Sequence, residues 1–305
     1  MALRILECVP NVSEGRDRRI IDRLAASIRR VPAVRLADVH SDPDHHRAVF
    51  TFLGPPPAVE SAALALAAAV YATLDMREHR GVHPRIGALD ALPFVPLRGI
   101  TMEETAALAR RVGETIGRVH GLPVYFYAEA AIRPERRRLP AIRTGGYEGL
   151  PQKLADPTWR PDAGPARFEP RSGATAVGAR PVLVAYNVWL DSEDPAIARA
   201  IARTIRESSG GLPGLQAMGL PLVGRGLIQV AMNLLDLRAT SLARAFDAVR
   251  AEAARRGVAV RRAELVGLAP REAFESRTPE SVGLVDFTPA KYLETYLPAD
   301  DHGAL

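Results

Sequence analysis

The chain has 305 residues, of which 47% are hydrophobic and 25% charged, and its formal net charge is +5. This is enough apolar sequence for one large domain or for two subdomains with separate cores. No apolar run approaches the roughly 20 residues of a membrane-spanning helix. Glu7 arrives too early for a secretory signal, and the single Cys8 cannot form an intrachain disulfide. We therefore expect a cytoplasmic protein.

The surplus of basic residues is mostly arginine, which fits either a GC-rich genome or a cleft that attracts anionic small molecules. The basic runs Arg136-Arg137-Arg138 and Arg255-Arg256 are short and are not interleaved with aromatic residues. Nucleic-acid binding normally needs basic and aromatic residues together. We therefore expect small-molecule substrates and no nucleic-acid or membrane partner.

Strands and helices alternate along the first half. Residues 3–9 are rich in β-formers and end at Pro10, after which a helix should carry Ile20, Leu24 and Ile28 on one face. Thr101-x-x-Glu104 is a capping box that starts a later helix. The pattern predicts strands over residues 3–9, 34–39, 47–53, 89–96 and 123–127, and helices over 57–74 and 101–119.

The second half repeats this rhythm after residues 144–178, whose Gly and Pro content predicts a connection between subdomains. Strands are predicted over 181–190, 216–223, 226–233 and 258–266, with helices starting at Asp194-Pro195 and covering 240–256. Strand-helix-strand-strand-helix-strand is the ferredoxin-like order. The predicted class is α+β (an α/β sandwich). Two ferredoxin-like subdomains, residues 1–178 and 179–305, would have mixed sheets facing each other across a substrate cleft, with helices outside.

The segment from Met76 to Asp90 contains two histidines, three arginines and two glycines but has no helical or strand period. A solvated turn does not need these imidazoles, so a functional loop is favoured. Histidine titrates near neutral pH and can take up and return a proton within one catalytic cycle. The histidines of this segment are therefore candidate acid–base residues.

A metal site is the alternative for this segment. His79 and His83 are four residues apart and would share one face of a helix as ligands. Gly81 and Pro84 argue against a regular helix there, and Pro84 favours an extended conformation for His83. A metal-dependent hydrolase therefore stays open without being favoured. Its candidate ligands are His40, His45, His79 and His83.

A second polar group, residues 38–47, precedes an apolar strand. It is either a solvated hairpin loop or a set of donors and carboxylates that orients a catalytic histidine or holds an anionic substrate.

Three further segments have a structural and a functional interpretation. Asn11 and Ser13 are predicted as helix N-caps, beside N–H groups that could bind a carboxylate. Cys8 is interpreted as a buried strand residue rather than a nucleophile, because no basic residue adjoins it. Residues 164–173 are too rich in proline for a phosphate loop and form either a linker or a groove wall.

Together these segments resemble the formiminotransferase family, the folate enzymes of histidine breakdown. Each segment alone is weak, but the set runs in order across roughly residues 5–268. The matching stretches are 7–15 (ECVPNVSEG), 46–52 (HRAVFTF), 75–77 (DMR), 83–90 (HPRIGALD), 139–143 (LPAIR), 147–150 (YEGL), 173–180 (GATAVGAR), 186–188 (YNV) and 229–236 (QVAMNLLD).

The resemblance implies transfer of the formimino group from N-formimino-L-glutamate to tetrahydrofolate, the co-substrate, without a metal. It implies that His83 is the acid–base residue, that residues 164–173 contact folate, and that the enzyme is a homodimer. It also implies a monofunctional form, without the cyclodeaminase domain of the bifunctional animal enzymes. His40 stands where those enzymes carry an acidic residue, so the carboxylate that orients His83 is left open, and the sequence after Leu268 matches poorly.

Several side chains are candidates to bind the substrates, although surface exposure or strand-end hydrogen bonding are the alternatives for each. Arginine binds carboxylates through forked hydrogen bonds, and asparagine can both donate and accept. The candidate substrate-binding and folate-binding residues are Asn11, Asp38, His40, Arg77, Arg85, Arg143, Gly164, Pro165, Phe168, Ser172, Gly173, Asn187 and Asn233. The nearest alternative reaction moves a formyl group from N-formylglutamate or 5-formyltetrahydrofolate. A folate-binding protein without activity is a third alternative.

Overall fold

Seven strands form one sheet in the first part of the chain. A computed structural model describes residues 3–297, and the chain divides into two compact units, Met1–Pro181 and Val182–Leu305. The strands of the first unit are β1 (Ile5–Cys8), β2 (Asn11–Val12), β3 (Arg35–Asp42), β4 (Arg47–Gly54), β5 (Leu89–Arg98), β6 (Val124–Ala128) and β7 (Thr175–Ala179). They pair in the order β1-β4-β2-β5-β7-β6, with β3 beside β4 and β1 also paired with β5. The β5–β7 and β6–β7 pairs are parallel and the others antiparallel, so this sheet is mixed.

Three long helices cover one face of this sheet, namely α1 (Arg18–Arg29), α2 (Pro56–Thr73) and α3 (Met102–His120). The predicted capping box of Thr101 and Glu104 is present at the start of α3. The cap of α1 is Asp17, whose carboxylate accepts backbone N–H groups of the first turn, so the prediction of Asn11 and Ser13 as caps is wrong. The core between helices and sheet includes Leu6, Cys8, Leu24, Phe50, Phe52, Leu66, Phe94 and Ile116, which confirms Cys8 as a buried strand residue.

Part of the other face is covered by α4 (Leu139–Arg143) and α5 (Leu150–Ala155), which pack against Tyr125 and Tyr127 of β6. The sequence predicts a connection over 144–178, but α5 lies inside that range, β7 begins in it, and both belong to the first unit. Strand β7 is built from small residues and is buried along its whole length. A buried parallel strand shows no polar alternation, which explains why periodicity misses it.

The second unit has a four-stranded sheet that is antiparallel throughout. Its strands are β8 (Val184–Leu190), β9 (Leu215–Leu222), β10 (Leu227–Leu234) and β11 (Val260–Val266), in the order β11-β8-β10-β9. The helices α6 (Pro195–Ile205) and α7 (Leu242–Ala254) pack against one face, to which Val184, Tyr186 and Val188 point. Asp194 caps α6 with Pro195 at its first position, as predicted.

Both units contain the ferredoxin-like strand order. In the first unit β3, β4, β1 and β5 are successive neighbours, and in the second β9, β10, β8 and β11 are. Each set is connected as strand-helix-strand-strand-helix-strand. The predicted α+β class is therefore confirmed, but the mixed sheet predicted for the second subdomain is wrong, because its strand pairs are all antiparallel. Within residues 3–297, no helix combines the length and apolar character needed to span a membrane.

Candidate active site

One face of the first sheet carries several of the predicted polar residues. In β4 the two phenylalanines face the helices, so Val49 and Thr51 point to the opposite face. Asn11 and His40 lie opposite Val49 in the neighbouring strands, and Asp38 lies opposite Thr51. Paired residues share a face, so the fold brings these predicted residues together. We call this surface the polar face, defined by Asn11, Asp38, His40, Arg47 and Thr51.

A tight turn at residues 43–46 connects β3 to β4 beside the polar face. Strand β3 continues to Asp42, beyond its predicted end at residue 39, so the connection to β4 is shorter than predicted. Asp42 accepts the backbone N–H of His45 at 2.7 Å, so its carboxylate holds the turn from the residue that precedes it. His46 has a φ of +50°, which is strained for a residue other than glycine. Strain of this kind persists where surrounding contacts hold it, and His46 has such contacts.

His83 lies in the loop between α2 and β5 and contacts the start of β4. Its Nδ1 atom is 2.8 Å from the carbonyl oxygen of Pro84, so Nδ1 is assigned the proton and donates it. Its Nε2 atom is 2.6 Å from Nη1 of Arg47, which donates to the Nε2 lone pair. These two bonds select the neutral tautomer whose basic atom is Nε2. A backbone carbonyl therefore orients the ring, and not one of the carboxylates considered from the sequence.

The surroundings of His83 keep its ring neutral. Burial lowers the pKa of His83 well below its ordinary value of 6.5, and the positive charges of Arg47 and Arg143 lower it further. His45, whose ring centroid lies 5.8 Å from that of His83, also lowers the pKa of His83. An imidazole of low pKa is unprotonated at neutral pH. His83 is thus held in the form that can accept a proton.

Arg143 is fixed near His83 by a buried carboxylate. Its Nη2 atom donates to Asp90, which is only 1% exposed. Asp90 also accepts the backbone N–H of Ile86 at 2.8 Å, so its position is set by the same loop. The Nε atom of Arg143 is buried and makes no hydrogen bond among the described residues. It is an N–H donor that these hydrogen bonds leave unused.

A network of side chains anchors the loop that carries His83. His79 is buried and uses both ring nitrogens, since Nε2 donates to the carbonyl oxygen of His46 at 2.8 Å and Nδ1 accepts from Arg85 at 3.1 Å. Arg85 also forms a forked pair with Glu148 at 3.0 and 2.7 Å. Burial lowers the pKa of His79 to about 4, so its ring is neutral. Both residues support the loop through protein contacts.

The ring of His46 continues this network. It stacks on His79 with ring centroids 4.2 Å apart. Its Nδ1 faces the carbonyl oxygen of Arg80 at 2.9 Å and its Nε2 faces the carboxylate of Glu14 at 3.3 Å. Both neighbours are hydrogen-bond acceptors, so each nitrogen of this ring faces an oxygen atom. Burial raises the pKa of Glu14, but hydrogen bonds from His46 and from two backbone N–H groups outweigh it and lower the pKa to about 2.

Glu14→Gln should destabilise the protein at neutral pH by on the order of 2 kcal/mol. A folded pKa of about 2 against an ordinary value of 4.5 gives a contribution that is complete above about pH 4.5. This contribution declines as the pH falls and is gone at about pH 2, because the carboxyl is then protonated in both states. Urea unfolding of both proteins at a series of pH values measures the difference. A difference that stays constant over this interval would show that the contact does not depend on the Glu14 charge.

Arg77 and the 164–173 stretch lie outside this network. Arg77 is exposed and pairs with Asp75 at 2.5 Å. Gly164 and Gly173 have φ values of +75° and +70°. A Cβ atom at Gly164 would lie 1.9 Å from the carbonyl oxygen of Leu122, so the backbone approach there requires glycine. Gly173 backs the end of the His83 loop, since its Cβ would lie 2.3 Å from the carbonyl oxygen of Ile86.

The other residues of this stretch also contact the first unit. The carbonyl oxygen of Ser172 accepts the backbone N–H of Ala88 at 2.8 Å, and Ser172 is buried. The ring of Phe168 lies 5.5 Å from that of Tyr147, centroid to centroid. Pro165 is half-buried. The stretch therefore packs against the first unit and is not a loose linker.

The two predicted asparagines of the second unit share one face of its sheet, away from α6 and α7. Asn187 on β8 is 5% exposed and donates to Glu264 at 3.1 Å. Asn233 on β10 lies opposite Ala185, two residues from Asn187 in β8. The fold thus places both on one surface of the second unit.

Sequence reasoning missed Arg47 as a site residue. The structure puts its guanidinium directly on the basic nitrogen of His83. Its only signal in the sequence is its place after two histidines, at the start of an apolar strand. Of the histidines considered as metal ligands, His79 has both ring nitrogens bonded to the protein. Across residues 3–297, no group of three or more His, Cys, Asp or Glu side chains is arranged to hold a metal ion.

Sequence comparisons assign the chain to enzymes that transfer a one-carbon group. The family model described as formiminotransferase domain, N-terminal subdomain, matches residues 5–180, and that of the formiminotransferase domain matches residues 185–278. The chain therefore belongs to the formiminotransferase family, which confirms the resemblance seen in its motifs.

Proteins similar to this chain carry matching names. A glutamate formimidoyltransferase from Streptococcus pyogenes serotype M1 is 43% identical over 271 residues, covering 89% of this chain and 91% of that protein. Another from Thermoplasma acidophilum is 43% identical over 274 residues, covering 89% and 90%. The formimidoyltransferase-cyclodeaminase of Rattus norvegicus is 42% identical over 277 residues, which cover 89% of this chain and 51% of that longer protein.

Proposed function

We propose that the protein transfers the formimino group of N-formimino-L-glutamate to N5 of tetrahydrofolate, giving 5-formiminotetrahydrofolate and L-glutamate. The observation that carries this proposal is the neutral His83, whose basic Nε2 lies beside Arg47 and near Arg143. The reaction needs a base that takes and returns one proton, and cations for the carboxylates of the donor. Family membership supports the same reaction, since a glutamate formimidoyltransferase is 43% identical over most of the chain.

His83 acts as the acid–base residue in this proposal. N5 attacks the formimino carbon, the N5–C bond forms, and the N5 proton passes to Nε2. Nε2 then delivers this proton to the glutamate nitrogen as the C–N bond breaks, so glutamate leaves as an amine. Nδ1–H stays on the Pro84 carbonyl, so one ring atom takes and returns the proton. A positioned base contributes about 10²–10⁴-fold to the rate, and alignment of the substrates contributes much of the rest.

The polar face and its surroundings supply the proposed substrate contacts. The Thr51 hydroxyl supports this assignment, because it is buried and has no hydrogen-bond partner among the described residues, and a pterin ring offers both donors and acceptors. Arg143 is assigned to a carboxylate of the donor through its remaining N–H. The further proposed contacts are Asn11, Asp38, His40, Arg77, Arg85, Gly164, Pro165, Phe168, Ser172, Gly173, Asn187 and Asn233, divided between subdomains 1–178 and 179–305.

The direct test mixes purified protein with tetrahydrofolate and N-formimino-L-glutamate and follows 5-formiminotetrahydrofolate by its absorbance. Turnover supports the proposal. Folate binding without turnover would redirect the assignment to a formyl donor, N-formylglutamate or 5-formyltetrahydrofolate. A protein that binds no folate would overturn it. Stoichiometric zinc, with activity lost on chelation, would favour the metal-dependent hydrolase instead.

We also propose that the enzyme is a cytoplasmic homodimer that uses tetrahydrofolate as co-substrate and no metal. The single cysteine requires no oxidising compartment, and the family relationship supports the dimer. Sedimentation velocity measures the oligomeric state directly. A species with the mass of one chain across the working concentration range would overturn the dimer and leave the chemistry unaffected.

A further inference from the structure

Arg47 occupies the atom that His83 must use for catalysis. Its Nη1 lies 2.6 Å from Nε2 of His83 and 3.5 Å from Nδ1. Because Nδ1–H is engaged by the Pro84 carbonyl, Nε2 holds the lone pair of the ring that can accept a proton. A lone pair that already accepts a guanidinium N–H cannot take a proton from N5. The base is therefore correctly oriented but covered in this arrangement.

The donor carries a group that competes for Arg47. In N-formimino-L-glutamate the departing nitrogen is bonded to the carbon that bears the α-carboxylate. When Nε2 is within hydrogen-bond reach of that nitrogen, a guanidinium beside Nε2 is within reach of the α-carboxylate. Guanidinium binds carboxylate through two parallel charge-assisted hydrogen bonds, whereas an imidazole offers it a single neutral acceptor. The carboxylate is therefore a stronger partner for Arg47 than the imidazole is.

We propose that Arg47 determines donor specificity: it covers Nε2 of His83 until the α-carboxylate of the donor draws it away and exposes the base. The inference rests on the proposed transfer from N-formimino-L-glutamate and adds the group that recognises it. A donor without the α-carboxylate would leave the base covered. Recognition and activation of the base are thus coupled through one side chain.

The charges around His83 also make the pKa of its ring depend on Arg47. The groups that act on the ring are Arg47 from β4, Arg143 from α4 and His45 from the β3–β4 turn. Arg143 also forms an ion pair with Asp90. A cation disfavours a second positive charge on the ring, so Arg47 lowers the pKa of His83. Its removal raises that pKa, and the ring then becomes protonated, and inactive as a base, at a higher pH.

The test compares the unmutated protein with two variants. Arg47→Met removes the positive charge, and Arg47→Lys keeps the charge but lacks the forked pair of guanidinium N–H donors. Each is assayed with N-formimino-L-glutamate and with its α-carboxamide and γ-carboxamide analogues, over a range of pH. Arg18→Met is the matched control, because Arg18 is an exposed arginine of α1. Thermal melting and folate binding confirm that each variant is folded.

We expect the unmutated protein to prefer the natural donor over the α-carboxamide by about ten- to hundredfold in kcat/KM, the range for a charge-assisted hydrogen bond. Arg47→Met should lose this preference while treating the γ-carboxamide as the unmutated protein does. The acid limb of its kcat/KM profile should move to higher pH, because that profile reports the free enzyme. In Arg47→Lys the acid limb should stay in place and part of the preference should remain.

Two results would overturn the inference. In a folded Arg47→Met protein, a preference for the α-carboxylate that persists would assign its recognition to another group, such as Arg143. An acid limb that does not move would show that Arg47 does not act on His83. Absence of turnover by the unmutated protein would instead refute the proposed function, so the two failures are distinct.

Discussion

His83→Gln should lower kcat for formimino transfer by about 10²–10⁴-fold while the protein stays folded. The hydrogen-bond partners of the His83 ring are Arg47 and the Pro84 carbonyl, and glutamine can retain polar contact with both. It cannot take up and return a proton at neutral pH. The loss should therefore fall on the chemical step. Steady-state kinetics, with folate affinity and melting temperature measured on the same preparations, separate this loss from a folding defect.

The neighbouring histidine offers a sharp comparison for this variant. His45 is also buried, and burial lowers its pKa to about 4, so it too is neutral at neutral pH. Its ring lies 5.8 Å from that of His83, close enough to be an alternative base. We expect His45→Gln to retain far more activity than His83→Gln. If activity survives in His83→Gln and collapses in His45→Gln, the base is His45 and the proposed mechanism is wrong. Val82→Ala, at an exposed position in the same loop, controls for disturbance of the loop.

Most of the fold could be predicted because its signals are local. Helical spacing and capping chemistry act within a few residues, and α3 and α6 begin at the predicted caps. Strand β7 escaped detection because its position is set by partners far away in the chain. It pairs with both β5 and β6, and its small residues carry no alternation.

The site was predictable to the extent that unusual composition marks it. The density of His and Arg identified the segment around His83, and the registers of β3 and β4 place Asp38 and His40 on one face. The acceptor that orients His83 is a backbone carbonyl, which leaves no residue-type signature. Arg47 is likewise ordinary in the sequence, and its importance follows only from its distance to Nε2.

Arg136 shows how composition can mislead in the opposite direction. The sequence places it in a short basic run, yet its side chain is 0% exposed. Nη1 pairs with Asp162 at 2.5 Å, and Nη2 donates to the carbonyl oxygens of Thr158 and Arg160 at 3.0 and 2.8 Å. The guanidinium also lies 5.1 Å from the ring centroid of Tyr125. These partners compensate a buried charge that the sequence alone gives no reason to bury.

Asp162→Asn should lower the free energy of unfolding of the first unit by about 3–5 kcal/mol, the cost of breaking a buried ion pair from one side. Arginine stays protonated at any working pH, so the variant leaves Arg136 charged without its counterion. The amide oxygen of Asn can still accept the backbone N–H of Phe126, which Asp162 now accepts at 2.8 Å. The loss in the free energy of unfolding therefore reports the effect of the carboxylate charge alone. Urea unfolding in a Trp189→Phe background, followed by fluorescence of Trp159, reports on the first unit, since the chain has two tryptophans.

Glu129→Gln is the matched control for this prediction, because it makes the same carboxylate-to-amide change in the exposed pair of Glu129 and Arg137. An exposed pair contributes about 0–1 kcal/mol, so the two variants should differ by several kcal/mol. Equal losses in both would show that water reaches Arg136 and compensates its charge. A small loss for Asp162→Asn together with a large one for Arg136→Met would mean that the packing of the arginine against Tyr125, and not its ion pair, stabilises this part of the unit.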